Sequence, residues 1–459
     1  MSAPGETAVL WFRRDLRLHD HAALLSASER ADKVLALFVL DEKLLNPSGA
    51  PRLAFLRGCL EELSAQLDGR LLLVHGDPVR EVVKAAASVG AKSVHVSADC
   101  APYGRRRDEA VAKELESRGI EWVETGSPYA ITPGRVTKPD GAPYQVFTAF
   151  SRAWREYSWP SPARTGKSTV DWVEPARSNA VLKAPPLGDT KLPQPGERAV
   201  LRRWKRFLDD GLNDYHTARD RPDFDATTRL SPYLHWGCVH PRTLLADLAE
   251  RRGEGAQALR SELAWREFHA DVLWHRPDAA RANYDKRFDD LEYDEDEAAF
   301  EMWCQGRTGY PIVDAGMRQL LTEGWLHNRV RMIVASFLVK DLHQPWWCGA
   351  RHFMRHLVDG DLASNQLNWQ WVAGSGTDAA PYFRVFNPTT QGEKFDPQGD
   401  YVRRYLPELR GIGGKAVHQP WKLKAQPEGY PAPIVDHAHE RRVALDRFAR
   451  ISRAARRRA

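Results

Sequence analysis

Cysteine is scarce in this 459-residue chain: there are five, at Cys59, Cys100, Cys238, Cys304 and Cys348. None stands at the spacing of a zinc site or of a Cys-x-x-Cys redox pair, which argues against a structural metal and against a disulfide framework. Long apolar runs are missing as well. Val34–Leu40 and Met332–Val339 are the longest, far short of the ~20 residues a membrane helix needs. Arg13, Arg14 and Asp15 interrupt the first apolar stretch, so no secretory leader is expected. No Gly-x-Gly-x-x-Gly follows the first candidate strand, which removes support for a dinucleotide site there. Net charge is only +5, a balance that permits a nucleic-acid partner without requiring one. These absences predict a reduced, cytoplasmic, globular protein that holds no metal and touches no membrane.

Tryptophan is what the chain has in quantity, and it is unevenly placed: 11 of the 16 lie after residue 200. The first ~125 residues alternate short apolar strands with amphipathic stretches, the pattern of a parallel α/β sheet. Candidate strands are Ala8–Phe12, Val34–Val39, Arg70–His75 and Ser93–Ser97, with helices over Pro51–Leu67, Pro78–Val89 and Arg105–Arg118 between them. From Thr125 to about Pro195 the chain is rich in Pro, Gly, Ser and Lys and reads as a long connector with a short helix near Phe147–Tyr157. After Glu197 the pattern is helical throughout. The expected divisions are therefore 1–130, 131–196 and 197–459, and the end from Arg441 reads as an Arg-studded helix or a frayed tail, solvated in preference to a specific DNA arm.

Residues 359–371, DGDLASNQLNWQW, put two carboxylates, an amide and two indoles within thirteen positions. Asp359 and Asp361 are poor helix formers, whereas Trp369 and Trp371 are large rings whose N–H groups want partners. Holding a redox-active ring by its polar edge, with electrons passing through neighbouring indoles, needs both kinds of group. Three other segments supply company. Tyr215 precedes the hydroxyl-rich run Asp225–Pro232, where Thr227, Thr228 and Ser231 are candidate caps of a following helix whose free N–H groups face an anion. In SELAWREFH, Glu262, Trp265, Arg266 and His269 share one helical stripe, either a polar cavity wall or an exposed face with a Glu262–Arg266 pair. In GWLHNRVRM, Asn328, Arg329, Arg331 and Met332 combine polar and soft contacts, and His327 reads as a structural hydrogen-bonding residue.

Together these motifs resemble the DNA photolyase and cryptochrome family over essentially the whole chain. The similarity is carried by WFRRDLRLHDHAAL, ELAWREF, GRTGYPIVDAGMRQL, HNRVRM, DGDLASN…WQW and GTDAAPYFRVFNPTTQGEKFDP, and it is greatest to the class I cyclobutane pyrimidine dimer (CPD) photolyases. The resemblance implies a Rossmann-like parallel-sheet antenna domain, a long loop and an all-α domain that binds FAD, reduced and anionic in the active state. Motif by motif, Tyr215, Thr227, Thr228, Leu230 and Ser231 match residues around the phosphates and ribityl chain, and Arg266, Arg331, Asp359, Asp361 and Asn365 match those around the rest of the flavin. Asn365 corresponds to the amide that faces flavin N5 in the repairing branches, where plant-type cryptochromes carry an aspartate.

Glu262, Trp265, Asn328, Arg329, Met332 and Trp371 match the set around a pyrimidine dimer, with Glu262 also a candidate for stabilising its radical anion. Asn328 stands where the (6-4) branch has a second histidine, which favours cyclobutane dimers. Basic residues, Arg329 and Lys394 among them, are expected on DNA phosphates. Trp369 and Trp346 match the first two members of the family's photoreduction relay. The third position falls on Tyr293, a departure from tryptophan, and Gln366-Leu367-Asn368 replaces a smaller run common in relatives. The run Asp99–Asp108 is closer to the version that accompanies a deazaflavin antenna than to the folate version.

The resemblance therefore implies a monomeric, light-driven lyase acting on UV-damaged DNA. The rival readings are a cryptochrome-type blue-light receptor, a (6-4) photolyase, and a flavin-free protein that stacks bases on its tryptophans, which leaves Asp359 and Asp361 without a task.

Overall fold

The computed structural model describes residues 6–175, 180–378 and 383–458. Six parallel strands form the sheet: β1 (Thr7–Phe12), β2 (Lys33–Leu40), β3 (Leu71–His75), β4 (Ser93–Val96), β5 (Glu121–Glu124) and β6 (Asp171–Trp172). Their order is β3-β2-β1-β4-β5. The first two strands are buried along nearly their whole length, as expected when helices cover both faces of a parallel sheet. Thr7 pairs with Lys33 and Ala8 with Ser93, so β1 is central and the winding reverses beside it. β6 adds only to the start of β2, at Lys33 and Val34, ahead of Ala36 where β3 begins pairing. The four expected strands are present; β5 and β6 are additional, β5 carrying two glutamates in four residues and β6 being only two residues long, so neither reads as an apolar run.

β5 ends at Glu124 and the helix Glu197–Asp210 opens the last expected division, while β6 returns to the sheet from within the connector. Compactness divides the chain elsewhere. One unit holds residues 1–187, 192–213 and 228–277; the other holds 188–191, 214–227 and 278–459. Buried carboxylates explain why helical segments belong to the first unit. Glu197 accepts from Leu18 N (3.0 Å) and His19 N (2.9 Å). Asp20 accepts from Arg242 Nη2 (3.0 Å) and Thr243 Oγ1 (2.9 Å). Glu267 and Asp271, on the helix Glu254–His275, bind the backbone of Ala130, Ile131 and Gly134. The start of the connector is thus stitched down, and its helix Phe147–Tyr157 falls where the periodicity placed it.

The second unit is helical among its described residues. Its core gathers Trp303, Met317, Phe337, Trp346, Phe353, Trp369 and Tyr401 from successive helices. The turn before the helix Pro311–Glu323 is fixed by Asp314, fully buried, which accepts from Thr308 N (2.7 Å), Thr308 Oγ1 (2.7 Å), Gly309 N (3.0 Å) and Tyr430 OH (2.6 Å). The arginine-rich end takes the helical of its two expected forms: His437–Arg458 is one helix. Phe448 stacks on Phe383 at 4.5 Å, His343 meets Glu440 at 2.8 Å and Arg447 meets Asp294 at 2.7 Å. No helix among the described residues is long and apolar enough to cross a membrane, and they contain no cluster of three or more His, Cys, Asp or Glu suited to a metal ion.

Candidate functional site

The expected residues fall in both units. Thr228, Leu230, Ser231, Glu262, Trp265 and Arg266 belong to the sheet-containing unit, and Tyr215, Thr227, Tyr293, Asn328, Arg329, Arg331, Met332, Trp346, Asp359, Asp361, Asn365, Trp369 and Trp371 to the helical one.

In the helical unit, Asp359 precedes the helix Leu362–Ala373 and Arg331 lies in the first turns of the helix Asn328–Lys340. Arg331 Nη2 donates to Asp359 Oδ2 at 2.8 Å and its Nε to Leu326 O at 2.8 Å. The other carboxylate oxygen, Asp359 Oδ1, is buried and has no hydrogen-bond partner, an arrangement costly enough that such atoms generally serve a ligand or water. Asp361 caps the helix by accepting from Ser364 N at 2.9 Å. One turn on, Asn365 Nδ2 donates to Ala350 O (3.1 Å) and to Gln366 Oε1 (2.8 Å). Both amide protons are committed, so Asn365 has only Oδ1 to offer, as an acceptor. Gln366 is fixed in turn by donating to Ala280 O at 2.7 Å. Adjacency in sequence gave no sign that Gln366 would orient Asn365; only the folded helix brings its side chain round to Ala280.

Trp369 is buried, and its ring lies over Gly349 so closely that a Cβ there would come within 2.1 Å of it. Its aromatic neighbours are Phe353 at 5.0 Å and Trp303 at 6.2 Å. Trp346, on the helix Trp346–His356, is fully buried and donates its indole N–H to Asn283 Oδ1 at 2.9 Å. Trp371 is half-buried and donates to Asp378 O at 3.2 Å. Arg329 departs from the expectation of a free phosphate ligand. It pairs with Asp220 at 2.9 Å and lies 4.5 Å over the Phe395 ring, while its Nε–H has no acceptor. Lys394 is exposed, 5.0 Å from the same ring. His327 is structural, as expected, and caps the helix by accepting from Arg329 N.

In the sheet-containing unit, Arg266 donates to Pro128 O (3.0 Å) and Leu234 O (3.1 Å) and lies 4.3 Å over the Tyr129 ring. The next residue, Glu267, stood off the polar stripe and carried no functional signal in the sequence. Its carboxylate holds the loop that holds Arg266. Trp265 stacks on Phe147 at 3.6 Å and 7°, so one indole face is already covered. The hydroxyl-rich run is corrected in one respect: the helix Ser231–Trp236 has Leu230 at its N-cap and no side-chain cap bond. Thr228 Oγ1 instead accepts from Leu230 N at 3.4 Å, and Arg229 between them has φ 48°, a left-handed conformation of a kind that collects at ligand-binding turns. The run Asp99–Asp108 is a closed ion cluster. Arg107 meets Asp99 at 3.1 Å and Asp108 at 2.8 Å, and Arg13 meets Asp108 at 2.6 Å.

Comparison with known proteins agrees with this geometry. Residues 8–167 match the DNA photolyase family model, and residues 259–450 match that of the FAD binding domain of DNA photolyase. A deoxyribodipyrimidine photo-lyase from Streptomyces griseus is 42% identical over 446 residues, covering 95% of this chain and 97% of that protein. A bacterial class III photolyase from Agrobacterium tumefaciens superimposes with TM-score 0.91 at 35% identity, covering 99% of both chains. An archaeal photolyase from Sulfolobus tokodaii, solved with two FAD molecules, does so with TM-score 0.86 at 30% identity, covering 97% of this chain and 100% of that one.

The chain belongs to the DNA photolyase/cryptochrome family. FAD is the group its helical domain has to accommodate, and the residues fit: the partnerless Asp359 Oδ1 and the free Asn365 Oδ1 are acceptors suited to the N–H edges of an isoalloxazine ring.

Proposed function

We propose that the protein is a light-driven DNA repair lyase that splits cyclobutane pyrimidine dimers. The observation that carries this is the full-length likeness to a deoxyribodipyrimidine photo-lyase, in a chain that keeps Glu262, Trp265, Asn328, Arg329, Met332 and Trp371 of the lesion set. Since the solved structure with TM-score 0.91 is a class III photolyase, the proposal is made at the level of dimer repair and not of class I.

Reduced FAD, when bound, supplies the photoexcited electron that opens the cyclobutane ring and takes it back afterwards. The chain's own residues bind and orient. Tyr215, Thr227, Thr228, Leu230 and Ser231 take the phosphate and ribityl side, while Arg266, Arg331, Asp359 and Asp361 hold the remainder. Asn365 presents its carbonyl oxygen and adds no second negative charge beside an anionic ring, the feature that favours repair over a plant-type receptor. A dimer is already poorly stacked, so flipping it out costs less than the few kcal/mol of a normal base. Trp371 and Trp265 wall it, Asn328 and Met332 contact it, and Glu262 stabilises negative charge on its carbonyls. Arg329 reaches a phosphate by sharing its guanidinium with Asp220, and Lys394 adds charge nearby. Trp369 and Trp346 relay electrons during photoreduction, and Tyr293 stands at the family's third relay position.

The antenna is proposed as a deazaflavin in preference to folate, and absorbance of the chromophore released on denaturation would identify it. The protein acts as a monomer in the cytoplasm, on UV-damaged DNA.

The test is illumination of the purified, flavin-bearing protein with a UV-damaged thymine oligonucleotide under reducing conditions. Light-dependent loss of cyclobutane dimers is expected. Flavin without dimer loss supports the receptor reading, loss confined to (6-4) products supports that branch, and absence of flavin refutes all three.

A further inference from the structure

Trp346 and Trp347 are neighbours in sequence with different surroundings. Trp346 is sealed in the core, whereas Trp347 is half-buried and packs on the edge of that core. The two rings meet edge-on with centroids 5.8 Å apart. The other ring neighbour of Trp347 is Tyr293, also edge-on, at 5.3 Å. The three side chains thus form a continuous path of ring contacts from the interior outward, and Trp347 is its middle member. We propose that Trp347, and not Tyr293, is the outer station of the electron relay: it takes the oxidising equivalent from Trp346 and is the group an external thiol reduces. This deepens the reading of Trp369 and Trp346 as a relay and rests on it.

The chemistry of the two outer rings separates them. An indole loses an electron without needing a base. A tyrosine gives a lasting radical only when its phenolic proton leaves too. The Tyr293 hydroxyl has no hydrogen-bond partner among the described residues, and burial, with the Asp289 carboxylate adding to it, pushes the phenol up to about 12, so no acceptor is hydrogen-bonded to it to take that proton. Trp303, the other indole in ring contact with Trp369, is a closed branch. It is fully buried, donates to Val334 O at 3.0 Å and is flanked by Phe300, Phe353 and His352.

The electron count closes. An oxidised flavin, when bound and light-excited, would serve as the primary oxidant and take up one electron per event. The charge left on the protein moves outward as Trp347 gives one electron to oxidised Trp346, restoring a neutral indole there. A thiol at the surface then gives one electron to Trp347 and releases its proton, and two such thiyl radicals combine to a disulfide.

The experiment is flash photolysis of the flavin-bearing protein with optical and electron-paramagnetic-resonance detection, on the parent and on Trp347→Phe, Tyr293→Phe and Trp369→Phe. The parent is expected to show an indole radical, and Trp347→Phe to lower thiol-dependent photoreduction about tenfold, the rate effect of about 1.4 kcal/mol. Its flavin content and melting temperature are measured alongside, so misfolding is recognised. Tyr293→Phe is expected to have a much smaller effect. A tyrosyl spectrum in the parent, or loss on Tyr293→Phe with Trp347→Phe intact, overturns the proposal. Undiminished photoreduction in Trp369→Phe refutes the relay reading itself, a distinct failure. In the dark, an indole-oxidising reagent followed by peptide mapping should modify Trp347 before Trp346, and the reverse order removes Trp347 as the exposed station.

Discussion

Replacing Glu267 with alanine tests the physical reasoning most directly, because three buried donors converge on this one side chain. Ala130 N donates to its Oε1 at 2.7 Å, and Ile131 N and Trp154 Nε1 donate to its Oε2 at 3.1 Å each. Glu267→Ala leaves all three without an acceptor in a site the residue itself fills to 2% exposure. At about 1–3 kcal/mol for each orphaned donor, the gross loss is about 3–9 kcal/mol. Relief of the buried carboxylate offsets part of this, since burial holds its pKa above the usual range. A net loss of about 3–5 kcal/mol follows, the size expected when a buried charged network is broken from one side. The damage should reach Arg266, whose guanidinium leans on Pro128 O and the Tyr129 ring just ahead of the released loop. Denaturant unfolding followed by far-UV circular dichroism measures the first effect, and FAD retained through gel filtration measures the second. A loss below about 1 kcal/mol, within the range of an ordinary surface substitution, would refute the claim that Glu267 organises this loop.

Asp359→Asn keeps the shape but removes the charge facing Arg331 and weakens the partnerless acceptor, so affinity for added FAD should fall at least about tenfold, equivalent to about 1.4 kcal/mol; unchanged affinity in a fluorescence titration would remove Asp359 from the site. Gln366→Ala frees the Asn365 amide to turn. Losing about 1 kcal/mol of oriented acceptor corresponds to about 20 mV in a two-electron potential, and spectroscopic redox titration should find the flavin harder to reduce by that amount. Lys340 is buried, lies 4.3 Å over Phe383 and donates to Arg384 O, and burial lowers its pKa to about 7. Between pH about 7 and the ordinary lysine range the unfolded chain therefore binds more protons than the native one, so stability rises with pH across that window. Lys340→Met should flatten the rise, and an unchanged slope in urea unfolding at several pH values would contradict it.

Much of this was legible in the chain because local chemistry decides it. The first four strands announce themselves as apolar runs, and the helix Phe147–Tyr157 by its periodicity. His327 could be read as a structural hydrogen-bonding residue, and the segment 359–371 stood out as an unusual mixture of carboxylates, an amide and indoles, from residue types alone. Contacts distant in sequence were not legible. β6 joins β2 at Lys33 and Val34, positions that come before β3 begins pairing at Ala36. The arginine-rich end forms a docked helix because Phe383, Asp294 and His343 receive Phe448, Arg447 and Glu440, and no tail composition encodes those partners. Trp265 was readable as an aromatic wall, but the loss of one face to Phe147 was not.

The sequence by itself determined the family, the two kinds of architecture and which residue types stand at the site, since these follow from ordered motifs and from hydrophobic period. Tertiary structure alone decided how those residues are presented: which oxygen of Asp359 lacks a partner, which end of the Asn365 amide is free, and that Trp347 lies between Trp346 and Tyr293. Hydrogen-bond satisfaction and ring contact depend on groups brought together from far along the chain, and only packing in three dimensions supplies them.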